Sequence, residues 1–383
     1  MAPPRRPGGF GRAVKTGFIL LAVLVAVTTG VVLADKAGTT TTTTSTTTTT
    51  TTTIPRERPQ AGWSVASSSA RGVMVDYRDI NVGGVVFRAL RLRARTTLLR
   101  WHVGSTDPNL AAKAPVDAGP AIFWPNEGLA GVVAVFNGGF KQSALAGGSV
   151  VDGFTLVPMM VSHMTIGLDA AGHWAMGIWG SPHFPPKGFH AISYRQNLGP
   201  LVLHGQPTPA ALSPAWSQWG APLGGVPPEP RSAIGVDAKG NLIYVATMGH
   251  VLQTPLARAL IAAGAVTGMQ LDINPYWPVM GAARKPIHAN GGVFAVQLPQ
   301  SQHSPAVFET GWTRDFFVAL AEPASWSCNW SSPGLSGPPG VARPQRLALV
   351  GRGCGTVTTT TTTTSTTTTT TPSGSTTSSP PAS

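Results

Sequence analysis

The sequence predicts one strand-dominated domain set between threonine-rich flanks that do not fold. Three observations carry this. Glycine and proline are abundant, at 45 and 35 residues, and only 11% of residues are charged, against roughly 25% in ordinary soluble domains. Short β-type apolar runs ending in glycine recur along the middle of the chain. Residues 39–53 are threonine apart from Ser45, and a similar run broken by Ser365 begins near Thr358. Such runs bury nothing apolar, so nothing offsets the entropy of ordering them, and they are expected to be disordered stalks and O-glycan acceptors. About 270 residues from Ile54 to Glu322 remain, enough for one large core. The expected organisation is a targeting segment at 1–35, a Thr-rich stalk at 36–60, the folded domain at 61–325, a Gly/Pro-rich extension at 326–356 and a Thr/Ser-rich tail at 357–383.

At the N-terminus, Arg5, Arg6, Arg12 and Lys15 precede an uncharged run from Thr16 to Ala34. At about 1.5 Å per residue that run, as a helix, crosses most of a bilayer. Its basic flank stays in the cytoplasm and places the domain outside. Val32-Leu33-Ala34 also fits a cleavage site. The expected location is therefore the cell membrane, with a single-pass anchor, or secretion after cleavage at Ala34. Part of the formal net charge of +12 lies in this basic flank; a basic exterior suits an anionic envelope polymer or membrane headgroups, and nucleic acid is a poor partner for an exported chain. Cys328 and Cys354 are the only cysteines, and an even count in an oxidising compartment predicts one disulfide. It closes a loop of about 25 residues and contributes roughly 3 kcal/mol.

Within the domain, Arg91, Arg93 and Arg95 alternate with Leu90, Leu92 and Ala94, which predicts a strand with a solvated arginine face. Gly131 to Phe140 reads as a buried strand ending in Asn137-Gly138-Gly139, where glycines permit a turn or a close ligand approach. Segments starting at Thr165 and Ala233 share Ile-Gly-aliphatic-Asp followed by a glycine and a second apolar run. They predict two hairpins in one sheet, with Asp169 and Asp237 bonding their own turns. Arg195 to Gln206 reads as a further strand, and Pro255 to Gly264 as a short helix presenting Leu256, Leu260 and Ile261. Asp272 then ends an apolar strand and opens a loop holding Asn274, Tyr276 and Trp277, an arrangement common in sugar-handling sites.

In this order the segments resemble the phosphodiester glycosidase family, whose members remove N-acetylglucosamine from phosphodiesters. The resemblance runs from about Val73 to Leu320. It rests on Asn137-Gly138-Gly139-Phe140, Leu198-Gly199-Pro200-Leu201-Val202, Arg231-Ser232-Ala233-Ile234-Gly235, the helix ending at Gly264-Ala265, and Leu271-Asp272. It implies a mixed α/β (α+β) fold, a single domain around a twisted, largely antiparallel sheet with few helices. The family has two glycines after the aspartate. Ile273 and Asn274 stand there, followed by Pro275, which implies a pocket narrower than the family's or shaped for another ligand.

The resemblance implies an exported, envelope-associated hydrolase cleaving a sugar-1-phosphodiester in a cell-wall or surface glycan. Phosphate is already a good leaving group, so the demands are an anion clamp, stabilisation of an oxocarbenium-like sugar, and an attacking group. Arg231 is the expected phosphate clamp, because its fork matches phosphate oxygens. Asp272 is the expected base or nucleophile. Asn137, Gly138, Gly139, Asn274, Tyr276 and Trp277 are the expected substrate-binding residues. His163, His288 and the Arg314-Asp315 pair carry no assigned role. No cofactor or metal is expected, since no His/Asp cluster has ligand spacing and no nucleophile elbow or P-loop occurs. Two alternatives stand beside the hydrolase: a non-catalytic glycan-binding protein of the same fold, and a structural O-glycosylated surface protein.

Overall fold

The computed structural model describes residues 26–34, 39–51, 56–108, 115–144, 146–225, 227–322 and 358–370. The chain divides into two compact units, one of residues 1–54 and 356–383, the other of residues 55–355.

In the first unit, Thr39–Thr51 is the central strand of an antiparallel sheet, between Ala26–Ala34 and Thr358–Thr370. The expectation of disordered threonine flanks is therefore corrected. Threonine is β-branched and favours extended backbone, and a long ladder satisfies its backbone groups without an apolar core. The described end of the uncharged run is also a strand, consistent with its content of Val27, Thr28, Thr29, Val31 and Val32. Thr16–Val25 lies outside the described residues, as do Cys328, Cys354 and the whole 326–356 extension. Among the described residues no helix is long and apolar enough to cross a membrane.

The second unit is mostly β, built from three antiparallel sheets. The largest runs Gln206–Pro207, Val202–Leu203, Ala265–Ile273, Glu229–Asp237, Leu242–Val251, Val85–Leu92, Gly72–Val82, Ser64–Ser69. A five-stranded sheet runs Val296–Gln297, Met280–Ile287, Val132–Asn137, Phe316–Ala321, Thr97–His102. The other five-stranded sheet runs Trp174–Ile178, Met164–Asp169, Ala191–Gln196, Ser149–Val151, Phe154–Val157. This corrects the mixed α/β expectation of one twisted sheet. The longest helix in this unit is Gln253–Ala262, and it makes the helical crossover between two strands that flank Glu229–Asp237. The other connections are dominated by glycine- and proline-rich loops, which favour antiparallel return.

All three sheets contribute to one core. Leu90, Tyr244 and Leu271 from the largest meet Trp101, Phe136 and Phe317 from the second and Met164, Ile166 and Leu168 from the third. On its other face the large sheet packs Phe87, Ile243 and Val245 against Leu256 and Leu260 of the helix.

Local details follow the sequence in part. Asp169 Oδ1 accepts from the N–H groups of Gly172 and His173, and Asp237 Oδ1 from Lys239 and Asn241. Their hairpins, however, lie in different sheets. The Arg195 to Gln206 segment is not one strand: Arg195 and Gln196 end one, Val202–Leu203 belongs to another sheet, and Leu198 between them has φ +60°. The arginine row is not a solvated face either. Arg91 and Arg93 are buried, each 2.6 Å from Oδ2 of the fully buried Asp76, and only Arg95 is exposed. Asp76 sits on the neighbouring strand directly opposite Arg91.

Candidate functional site

Three chain segments from three sheets converge on one buried group of charges. Asp272 ends the Ala265–Ile273 strand, Arg314 and Asp315 lead into Phe316–Ala321, and Arg195 comes from Ala191–Gln196. All four side chains are buried. Arg314 donates from Nη2 to Asp272 Oδ2 at 2.5 Å. Arg195 holds Asp315 through Nε at 2.7 Å and through Nη2 at 3.2 Å. Asp315 Oδ2 also accepts from the indole N–H of Trp101 and the backbone N–H of Gly139.

Burial pushes the Asp272 carboxyl up to about 7, although Arg314 pulls it down. Burial also works against the Arg195 charge, but Asp315 more than offsets it and holds the guanidinium above its ordinary range.

Arg314 is incompletely satisfied. Its Nε and Nη1 are buried and find no acceptor among the described residues, and its guanidinium carbon lies 5.0 Å from the centre of the Trp277 ring. Trp277 meets Trp312 edge-on at 5.9 Å and Tyr276 at 6.5 Å. Tyr276 is half exposed, so an aromatic wall runs from solvent towards Arg314.

The expected substrate-binding residues divide in two. Asn137 is fully engaged within the fold. Its Oδ1 accepts from the Tyr244 hydroxyl at 2.7 Å and from Val279 N–H, and its Nδ2 donates to Ser232 Oγ and Gly138 O. Gly138 N–H donates to Asp315 O, while its carbonyl accepts from Asp272 N–H. A Cβ on Gly138 would run into the Asp315 carboxylate, so close backbone approach explains this glycine. Trp277 alone of the set presents a ring beside Arg314, and Tyr276 packs on Trp277. Asn274 has φ +78°, the left-handed backbone a glycine would supply, and its Oδ1 accepts from Leu223 N–H at 2.8 Å. Ile273 is buried against Phe140, Ala146 and Leu198, so a side chain fills the space beside this turn.

Arg231 faces away from these groups. Consecutive strand residues point to opposite sides. Ser232 turns to Asn137 and to Asp272 O, whereas Arg231 donates to the carbonyls of Val251, Trp219 and Pro227 and to Gln270 Oε1. Burial pushes its pKa down to about 10, against the pull of Glu229. The cation that the fold sets against Asp272 is Arg314. Its signal in the sequence is a charged pair, Arg314-Asp315, directly before the apolar strand that starts at Phe316. Charges at that position are buried unless the strand is an edge, and this one is central in its sheet.

A cleft of about 420 Å³ lies along His163, Leu198, Pro200, Thr208 and Trp219, and its wall residue Leu198 packs on Phe140 and Ile273. Among the described residues no three His, Cys, Asp or Glu side chains form a metal-holding group.

No protein-family model matches the chain, and no curated protein matches it in sequence. Solved structures share a distant likeness. The catalytic domain of zebrafish N-acetylglucosamine-1-phosphodiester alpha-N-acetylglucosaminidase, auto-inhibited by its pro-peptide, is 13% identical with a TM-score of 0.43, over 68% of this chain and 88% of that one. A hypothetical protein from Synechocystis is 11% identical with a TM-score of 0.39, over 79% and 81%. A putative exported protein from Burkholderia pseudomallei K96243 is 11% identical with a TM-score of 0.30, over 80% and 98%. At these TM-scores none of the likenesses fixes a family or an activity.

Proposed function

We propose that the chain is an exported, envelope-associated hydrolase that cleaves a sugar-1-phosphodiester bond in a surface glycan, with Asp272 and Arg314 as its reacting pair. The observation that carries the reading is the buried Arg314, whose Nε and Nη1 lack acceptors beside Asp272. A buried guanidinium with free N–H groups is costly unless an anion completes it, and a phosphate presents oxygens at matching spacing. Asp272, with a pKa near neutrality, suits a general base. In the proposed step a water oxygen bonds to the anomeric carbon and its proton passes to Asp272. The bond from that carbon to the phosphate oxygen breaks, and its electron pair stays on the phosphate, held by Arg314. Tyr276 and Trp277 cover the apolar face of the sugar. The products are a free sugar and a phosphomonoester.

A second reading is favoured by the burial of Asp272, which is 3% exposed and already paired. A protein of this kind binds a phosphorylated glycan without turning it over. Incubating the purified full chain with sugar-phosphodiester model substrates separates the two. Release of phosphomonoester that disappears in Asp272→Asn supports the hydrolase. Saturable binding without product supports the binder.

A further inference from the structure

The edge of the large sheet carries a second cationic feature. Glu57 is pinned as extended backbone against Gly72: its N–H donates to Arg71 O, and its carbonyl accepts from Val73 N–H. Glu57 itself faces Arg93 at 3.8 Å and Arg95 at 3.9 Å. Arg56 and Arg58 line a cleft of about 400 Å³ with Glu57, Pro59, Val65, Ser68 and Val73, and the one carboxylate there, Glu57, is answered by Arg93 and Arg95. Arg56 and Arg58 are both exposed, and neither has an acidic partner among the described residues.

We infer that this cleft binds a single strand of a phosphodiester-linked anionic polymer, with Arg56 and Arg58 forking onto its phosphates. Charge complementarity selects an anion, and the two planar forks select phosphate oxygens. Val65, 40% exposed, and Pro59 give an apolar wall for the carbon-rich links between phosphates. The concave shape selects one strand over a membrane, because a flat headgroup layer cannot enter a cleft of this size. The site is separate from Asp272, whose strand lies four places away in the same sheet, on the order of 20 Å at normal strand spacing. It stands whether or not Asp272 supports turnover.

The test uses the full chain and end-labelled poly(glycerol phosphate), a phosphodiester-linked chain, read by fluorescence anisotropy. Wild type binds saturably and more weakly as salt rises. Arg56→Gln with Arg58→Gln weakens binding about tenfold or more with an unchanged melting temperature, because both side chains are exposed. A control that removes the same charge elsewhere, Arg258→Gln with Arg284→Gln, binds as wild type. Equal loss in the control, or no loss in the Arg56/Arg58 variant, overturns the inference. So does binding to phosphatidylglycerol vesicles that poly(glycerol phosphate) fails to compete away.

Discussion

Arg314 reaches Asp272 with one nitrogen, Nη2, and its other two nitrogens face no acceptor among the described residues. A structural ion pair normally uses every donor it buries. This one holds a carboxyl with a pKa of about 7 beside buried donors that have no acceptor among the described residues, and that combination underlies the first two expectations.

The stability of the chain falls as pH rises from about 4 to about 7. The folded pKa of Asp272, about 7, lies above its unfolded value of about 3.9. The folded state therefore binds the proton more tightly, and the advantage is lost as pH climbs through that window. Asp272→Asn removes a dependence worth a few kcal/mol, so its stability changes less than that of wild type between pH 4 and pH 8. Thermal melts of both proteins from pH 4 to pH 8 check this, and parallel curves contradict it.

Arg314→Lys keeps the charge and loses the planar fork. It lowers affinity for a sugar phosphodiester or its phosphonate analogue by about tenfold or more. Asp272 keeps a cationic neighbour, so the pH dependence of melting survives. Isothermal titration alongside the melts separates the two effects.

Arg231→Lys acts on stability. Four of the five guanidinium N–H groups bond within the fold. A lysine cannot serve all four, so buried carbonyls lose their donors at a cost of about 3 kcal/mol. Chemical denaturation measures the loss, and a wild-type midpoint would show that the carbonyls find other partners.

Asp76→Asn strands two buried cations. Arg91 and Arg93 both rest on the same carboxylate oxygen, and removing one partner of a buried pair costs about 3 to 5 kcal/mol. Asp79→Asn, which breaks the more exposed pair with Arg88, costs less than about 1 kcal/mol. Comparing the two denaturation midpoints tests this ordering.

The readable parts of this sequence were those whose signal is local. Val132–Asn137, the Asp169 and Asp237 turns and the Gln253–Ala262 helix each follow from residues within one element. Asp272 stands out for the same reason, as a carboxylate ending an apolar strand. The partition into three sheets depends on pairings between distant segments, which no local pattern encodes. The burial of Arg91 depends on Asp76, fifteen residues away on the next strand, and period-two alternation alone cannot tell a wet arginine face from a paired one. Arg314 finds Asp272 across 42 residues, and Arg231 is hidden by a strand alternation that only the register reveals.

The first and last described stretches of residues 56–322 are fastened at one corner. Glu57 bridges to Gly72, Glu322 pairs with Arg71 at 2.9 Å, and Glu322 N–H donates to Thr96 O. Tension in the tails that reaches Glu57 and Glu322 therefore loads a few short contacts one after another, as in peeling, and does not shear whole ladders of this unit at once. The strand carrying Asp272 lies deep in the sheet, away from the load path, so pulling on the tails frees the corner while the charged cluster keeps its geometry.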